Sequence, residues 1–169
     1  LLLAASPARA AAQDATPPQD ADAAPRFEDR PGFLKGELSQ AGGTKLQAGI
    51  GFDGDRLNGI VRETVHPAQG PSAILANLER MIPDLLRRTG LDLTDIARIG
   101  VGFGGPVDTA RGRVMISHQV EGWSGFDLKG WFEAIFRLPT VVENDASSAG
   151  LAEAHLGAGR GSRRVFYIT

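Results

Sequence analysis

The sequence predicts an α/β fold in which one mixed sheet, part antiparallel hairpin and part parallel, is covered by helices. Three observations carry this. Lys45 to Phe52 and Leu57 to Val65 read as strands on either side of Asp53-Gly54-Asp55, a hairpin-turn signal. Ile96 to Phe103 is an apolar run of the kind found in a strand buried on both faces. Between them, Ile74, Leu75, Leu78, Met81, Ile82, Leu85 and Leu86 fall on one helical stripe.

Taken in order, residues 1–32 are rich in Ala, Pro, Asp and Gln and almost free of β-branched residues. Such a segment buries too little apolar surface to offset its ordering entropy, so a disordered tail is expected. Its Leu1-Leu2-Leu3-Ala4-Ala5 start, followed by Ala8-Arg9-Ala10, resembles the end of a signal-peptide core with a small-residue cleavage site. The apolar run is short and no basic region precedes it, so a low-complexity tail is favoured over an export remnant. Gly36 to Gln40 is a short strand, broken by Gly42-Gly43. Pro71 opens the first helix, where its missing N–H costs nothing, and Pro83 is expected to kink it. Gly112 to Ile116 reads as a strand. Asp127 caps a helix with Leu128, Trp131, Phe132, Ile135 and Phe136 on its apolar face. Pro139 to Val142 is a short strand, Asn144 caps a helix of small residues reaching Leu156, and Val165 to Thr169 is a final strand. That last strand has nothing after it to cover its edge, which reads as a truncation.

Composition narrows the function. The 169 residues hold 18 Lys+Arg against 20 Asp+Glu, a net charge of −2, which leaves no electrostatic footprint for nucleic acid or an anionic membrane. No window approaches a membrane-spanning apolar run. With no cysteine there is no disulfide framework, thiol nucleophile or Cys-ligated zinc within these residues.

Four segments carry chemistry-bearing residues. Ala41-Gly42-Gly43-Thr44-Lys45 is a tight turn between strands. Its adjacent glycines let backbone N–H groups approach an anion, and Thr44 and Lys45 add a hydroxyl and a cation. A hairpin turn with nothing bound would need only one of those glycines. Gly100, Gly102 and Gly105 match G-x-G-x-x-G after a buried strand. A dinucleotide site needs a helix after the third glycine. Here Pro106 leads into turn and strand residues, so the glycines serve close packing or line a ligand cleft. Ser117-His118-Gln119-Val120-Glu121-Gly122-Trp123 sets polar groups beside an aromatic in a loop, which suits a sugar. His118 reads as a loop histidine rather than an acid–base group, and Trp123 as packing beneath the loop. Finally, Glu143-Asn144-Asp145-Ala146 turns a strand into a helix. Its amide and carboxylate either bind and deprotonate an alcohol or simply cap the helix.

In order, GGTK, GVGFGGPVD, SHQVEGW, VENDA and GLAEAHLGAGRG resemble the ROK family (repressor, open reading frame, kinase), which includes bacterial glucokinases and related hexose and N-acetylhexosamine kinases. The resemblance runs from about Phe33 to Thr169. It implies the actin-like, ribonuclease H-like ATPase fold, with ATP and sugar in a cleft between two lobes. Residues 33–163 would be the N-terminal lobe and 164–169 the first strand of the next. It further implies that Gly42, Gly43, Thr44 and Lys45 bind the ATP phosphates. Gly104, Gly105, Pro106, Gln119, Glu121 and Asn144 would bind the sugar, with Asp145 both a sugar ligand and the general base. In a loose phosphoryl-transfer transition state the alcohol proton leaves late, so Asp145 would chiefly orient the hydroxyl and then take its proton. Mg²⁺ would bridge the phosphates. A cytoplasmic homo-oligomer acting on a hexose or N-acetylhexosamine, with no nucleic-acid or membrane partner, completes the expectation.

Two departures stand out. Gln40 occupies a position where the family usually has Asp or Glu, so no metal ligand is assigned. The family's Glu-x-Gly-His sugar motif, zinc motif and second phosphate loop would lie beyond Thr169, so zinc belongs to none of these residues. The resemblance also admits a sugar-responsive transcriptional regulator and a degenerate, non-catalytic sugar-binding relative. The N-terminal tail does not resemble the winged helix-turn-helix of such regulators.

Overall fold

A computed structural model describes residues 1–5, 44–51, 57–117 and 120–168. The described strands are β1 (Leu2–Ala5), β2 (Thr44–Gly51), β3 (Leu57–Val65), β4 (Ile96–Phe103), β5 (Val107–Asp108), β6 (Arg113–Val114) and β7 (Thr140–Asn144). The α-helices are α1 (Gly70–Thr89), α2 (Leu128–Phe136) and α3 (Asp145–His155). Five strands form one mixed sheet in the order β3-β2-β1-β4-β7, while β5 and β6 pair as a separate small hairpin.

The expected β2–β3 hairpin is present as an antiparallel pair running from Thr44↔Val65 to Gly51↔Leu57, and its turn lies outside the described residues. β4 and β7 form the parallel part, in register from Ile99↔Thr140 to Phe103↔Asn144. The disordered tail expected over residues 1–32 does not hold at its head. Leu2–Ala5 lies between β2 and β4, parallel to the first and antiparallel to the second. A composition averaged over a long segment hides a short Leu/Ala run, and a slot between two strands satisfies the hydrogen-bonding groups on both its edges. The rest of that segment, with the expected strand at Gly36 to Gln40, lies outside the described residues.

Helix α1 packs on β2 and β3 with the expected stripe: Ile74, Leu78, Met81, Ile82, Leu85 and Leu86 are all buried. It runs on through Pro83, which forfeits one backbone bond but is outweighed by burial of about 1.5–3 kcal/mol per large apolar side chain on this face. Gly90, at φ 69°, ends it: Leu91 N–H returns to Leu86 C=O at 2.9 Å. Asp127 caps α2 through Gly130 N–H, and Leu128, Phe132 and Phe136 are buried against β7. Ile135 departs from its expected place and is 45% exposed. In a helix this short the buried face is set by i, i+4 and i+8, which Leu128, Phe132 and Phe136 already occupy.

Three further expectations change. β4 has an antiparallel neighbour on one side, and only Ile96 and Ile99 in it are fully buried. The strand expected over Gly112 to Ile116 shrinks to Arg113–Val114: Pro106, which faces Met115, accepts its N–H at 2.9 Å but has no N–H of its own to return. Val165 to Ile168 belong to no strand among the described residues, since a strand exists only where a neighbour supplies its ladder.

Candidate functional site

The β4–β7 ladder ends at Phe103 and Asn144, and both chains leave the sheet at the same edge. Ligands in open α/β sheets bind beyond the carboxyl ends of parallel strands, where the loops diverge. From β4 the chain enters the Gly104-Gly105-Pro106 turn; from β7 it enters helix α3 at Asn144-Asp145.

Asn144 is extended, at φ −65° and ψ 140°, so its side chain can fold back over the helix start. Its Oδ1 accepts from Ser147 N–H at 3.0 Å, which is the expected N-cap. Its Nδ2 donates to Gly105 C=O at 3.0 Å, to Phe103 C=O at 3.4 Å and to Asp145 Oδ1 at 3.2 Å. Asp145 Oδ1 also accepts from Ala146 N–H at 2.8 Å. Among the described residues, Oδ2 of Asp145 accepts no hydrogen bond. The carboxylate is half-buried, with one oxygen held and the other unspent.

Gly102 stands directly beside the start of α3: a Cβ there would sit 3.6 Å from Asp145 Cα, an ordinary van der Waals contact. Gly105 is tighter, because a Cβ would stand 3.1 Å from both Ile116 C=O and the Phe103 ring. Pro106 then opens β5 rather than a helix, so the G-x-G-x-x-G match lacks the helix N-terminus a pyrophosphate needs. Below this turn Trp123 is 3% exposed and meets Phe103 and Phe126 edge-on, at 5.6 and 5.1 Å. It is a packing residue, as its sequence context indicates, and it braces the end of β4.

The other expected site residues fall as follows. Gly42, Gly43, Gln40, His118 and Gln119 lie outside the described residues. Thr44 opens β2, with Lys45 exposed beside it. Glu121 is exposed in the turn before Trp123. The sequence reading missed Thr109 and gave Glu143 no role of its own: Glu143 Oε1 accepts from Asn144 N–H at 2.8 Å, and the Thr109 hydroxyl reaches Glu143 Oε2 at 3.2 Å. Glu143 was marked only as a member of the VENDA motif, a charged residue at the end of a strand. Asp108 is held below the usual carboxylate range by the hydrogen bond from the Arg111 guanidinium at 2.8 Å. Among the described residues no three His, Cys, Asp or Glu side chains converge to hold a metal.

The sequence matches the profile of the ROK family over residues 40–169. The chain belongs to the ROK family. It is 33% identical to a glucokinase of Streptomyces coelicolor over 128 residues, which is 76% of this chain and 38% of that protein. A ROK hexokinase from Thermus thermophilus superposes with a TM-score of 0.60 at 34% identity, over 72% of this chain and 38% of that one. A ROK glucokinase from Streptomyces griseus, in complex with glucose and AMPPNP, gives 0.59 at 30% identity, over 72% and 36%. The chain thus spans less than half the length of these ROK relatives, and its α/β sheet is part of their actin-like ATPase fold.

Proposed function

We propose that this ROK protein transfers the γ-phosphoryl group of ATP to a hydroxyl of a hexose or N-acetylhexosamine. The observation that carries the reading is Asp145: a carboxylate at the edge where β4 and β7 part, one oxygen fixed by Ala146 and Asn144 and the other unpartnered among the described residues. The similarity to glucokinases, one bound to glucose and AMPPNP, supports the substrate class.

In this mechanism Asp145 Oδ2 accepts a hydrogen bond from the attacking hydroxyl and aims it in line with the γ-phosphate. The sugar oxygen–phosphorus bond forms as the bond to the ADP oxygen breaks, and the proton passes to Asp145 late in the step. Asn144 holds the carboxylate's orientation; the N–H that now reaches Asp145 Oδ1 at 3.2 Å is the one a sugar hydroxyl would take over. Gly104, Gly105 and Pro106 form one wall for the sugar, and Gln119 and Glu121 are its further proposed ligands. Gly42, Gly43, Thr44 and Lys45 receive the phosphates. When bound, Mg²⁺ would neutralise phosphate charge, and no residue of this chain is assigned to hold it.

Steady-state kinetics of Asp145→Asn in the complete gene product test the assignment. The expected result is a loss of about 10²–10⁴-fold in kcat, as for other general bases, with sugar KM changed far less. Retention of more than about a tenth of wild-type kcat would discard Asp145 as the base. A wild-type protein that turns over no ATP with any hexose would instead support the non-catalytic alternative, for which the neutral Gln40 is the sequence argument.

A further inference from the structure

We infer that Thr109 and Glu143 are positioning residues, forming a clasp that sets the sugar wall at Gly104-Gly105-Pro106 against Asp145; its link to the sugar rests on the kinase reading above. Backbone pairing between β4 and β7 stops at Phe103↔Asn144. Beyond that point two side-chain ties hold the departing segment to the end of β7. Asn144 Nδ2 donates to Gly105 C=O at 3.0 Å, and the Thr109 hydroxyl donates to Glu143 Oε2 at 3.2 Å.

The two ties bracket Pro106 and come from adjacent residues of one strand, which project to opposite faces. A single tie would let the segment pivot; two fix its direction. Glu143 is well placed as the anchor, since its other carboxylate oxygen accepts from Asn144 N–H at 2.8 Å and is thereby oriented. The segment it grips is stiff. Asp108 closes the β5–β6 turn by accepting from Arg111 N–H at 3.1 Å and from the Arg111 guanidinium at 2.8 Å, and Gly112 N–H returns to Asp108 C=O at 2.7 Å. Met115 N–H reaches back to Pro106 C=O at 2.9 Å. Fixing Thr109 at the tip of this hairpin therefore fixes the angle of Pro106 at its base. Asp145 is oriented by Ala146 and Asn144, whereas the Thr109 hydroxyl is bonded to Glu143, so release of the clasp is expected to act on sugar binding and to spare the proton transfer.

The experiment uses the complete gene product with Thr109→Val, which removes the hydroxyl at nearly constant shape, and Thr109→Ser, which restores it. Hydrogen–deuterium exchange at the Arg111 and Gly112 amides is expected to quicken about three- to tenfold in the valine variant, the scale of one hydrogen bond. The β4 amides are expected to stay unchanged. Sugar KM is expected to rise by a similar factor, with kcat and the KM for ATP within about twofold, and the serine variant is expected to return both readouts towards wild type. Adding Glu143→Ala to Thr109→Val is expected to bring little further hairpin exchange, because the tie is already lost. Unchanged exchange would overturn the clasp whatever the protein catalyses. Faster exchange with unaltered sugar KM, or equal shifts in both KM values, would overturn its positioning role. A wild-type protein that phosphorylates no hexose would retire the kinase reading, and the exchange data would still decide whether the clasp exists.

Discussion

One amide, that of Asn144, both starts α3 and ties down the loop that follows β4. Its oxygen caps the helix at Ser147 N–H, while its nitrogen serves Gly105 C=O, Phe103 C=O and Asp145. The two functions separate by substitution. Asn144→Ala is expected to cost about 2 kcal/mol, roughly 1 for the cap and roughly 1 for the lost ties. Asn144→Ser keeps a capping hydroxyl and is expected to recover about half of that. Urea denaturation of both variants checks the split, and equal losses would show that the cap contributes nothing. Ser148 adds to the same point, donating its hydroxyl to Asn144 C=O at 3.0 Å while itself almost fully buried.

At the level of elements, the β5–β6 hairpin and α2 are joined through Gly112. At φ 67° it takes a conformation that side chains disfavour, and a Cβ there would fall on Lys129 Cβ. The backbone demands this approach, because Lys129 N–H donates to Gly112 C=O at 3.0 Å. Gly125 is the natural control, with φ 77° and open space where its Cβ would stand. Gly112→Ala is expected to destabilise by about 3 kcal/mol or more, combining left-handed strain with overpacking, and Gly125→Ala by about 1 kcal/mol. Thermal unfolding of the pair measures the difference. Similar midpoints would mean that α2 shifts without cost.

Across the whole molecule, the proposed site lies where one end of the sheet meets the start of α3, and relatives of known kind are more than twice as long as the segment they share with this chain. Phosphoryl transfer depends mostly on positioning, and a cleft needs both its walls to position two substrates. The 169-residue chain expressed alone is therefore expected to release no ADP in response to glucose. A coupled ADP assay checks this, and glucose-dependent turnover would show that these residues hold ATP and sugar unaided. None of the described helices is long and apolar enough to cross a membrane.

Periodicity alone determined the elements whose burial repeats along the chain. The α1 stripe, the β2–β3 hairpin and the starts of α2 and α3 all stand where apolar spacing and capping residues put them, because these signals are local. Motif order likewise made Asn144, Asp145 and the glycine turn legible as a family pattern. What tertiary structure decided is which of these groups still have a free bond to offer. That Asn144 also ties the loop after β4 could not be read from a strand–helix junction, because its contact with Gly105 spans 39 residues. Thr109 lies in no motif, and 34 residues separate it from Glu143. Leu2–Ala5 passed for part of a tail because a strand's partners are remote in sequence. Ile135 passed for core because apolar character does not say which side of a short helix the sheet will cover. In each case the missing information is a long-range contact, and long-range contacts exist only once the chain has folded.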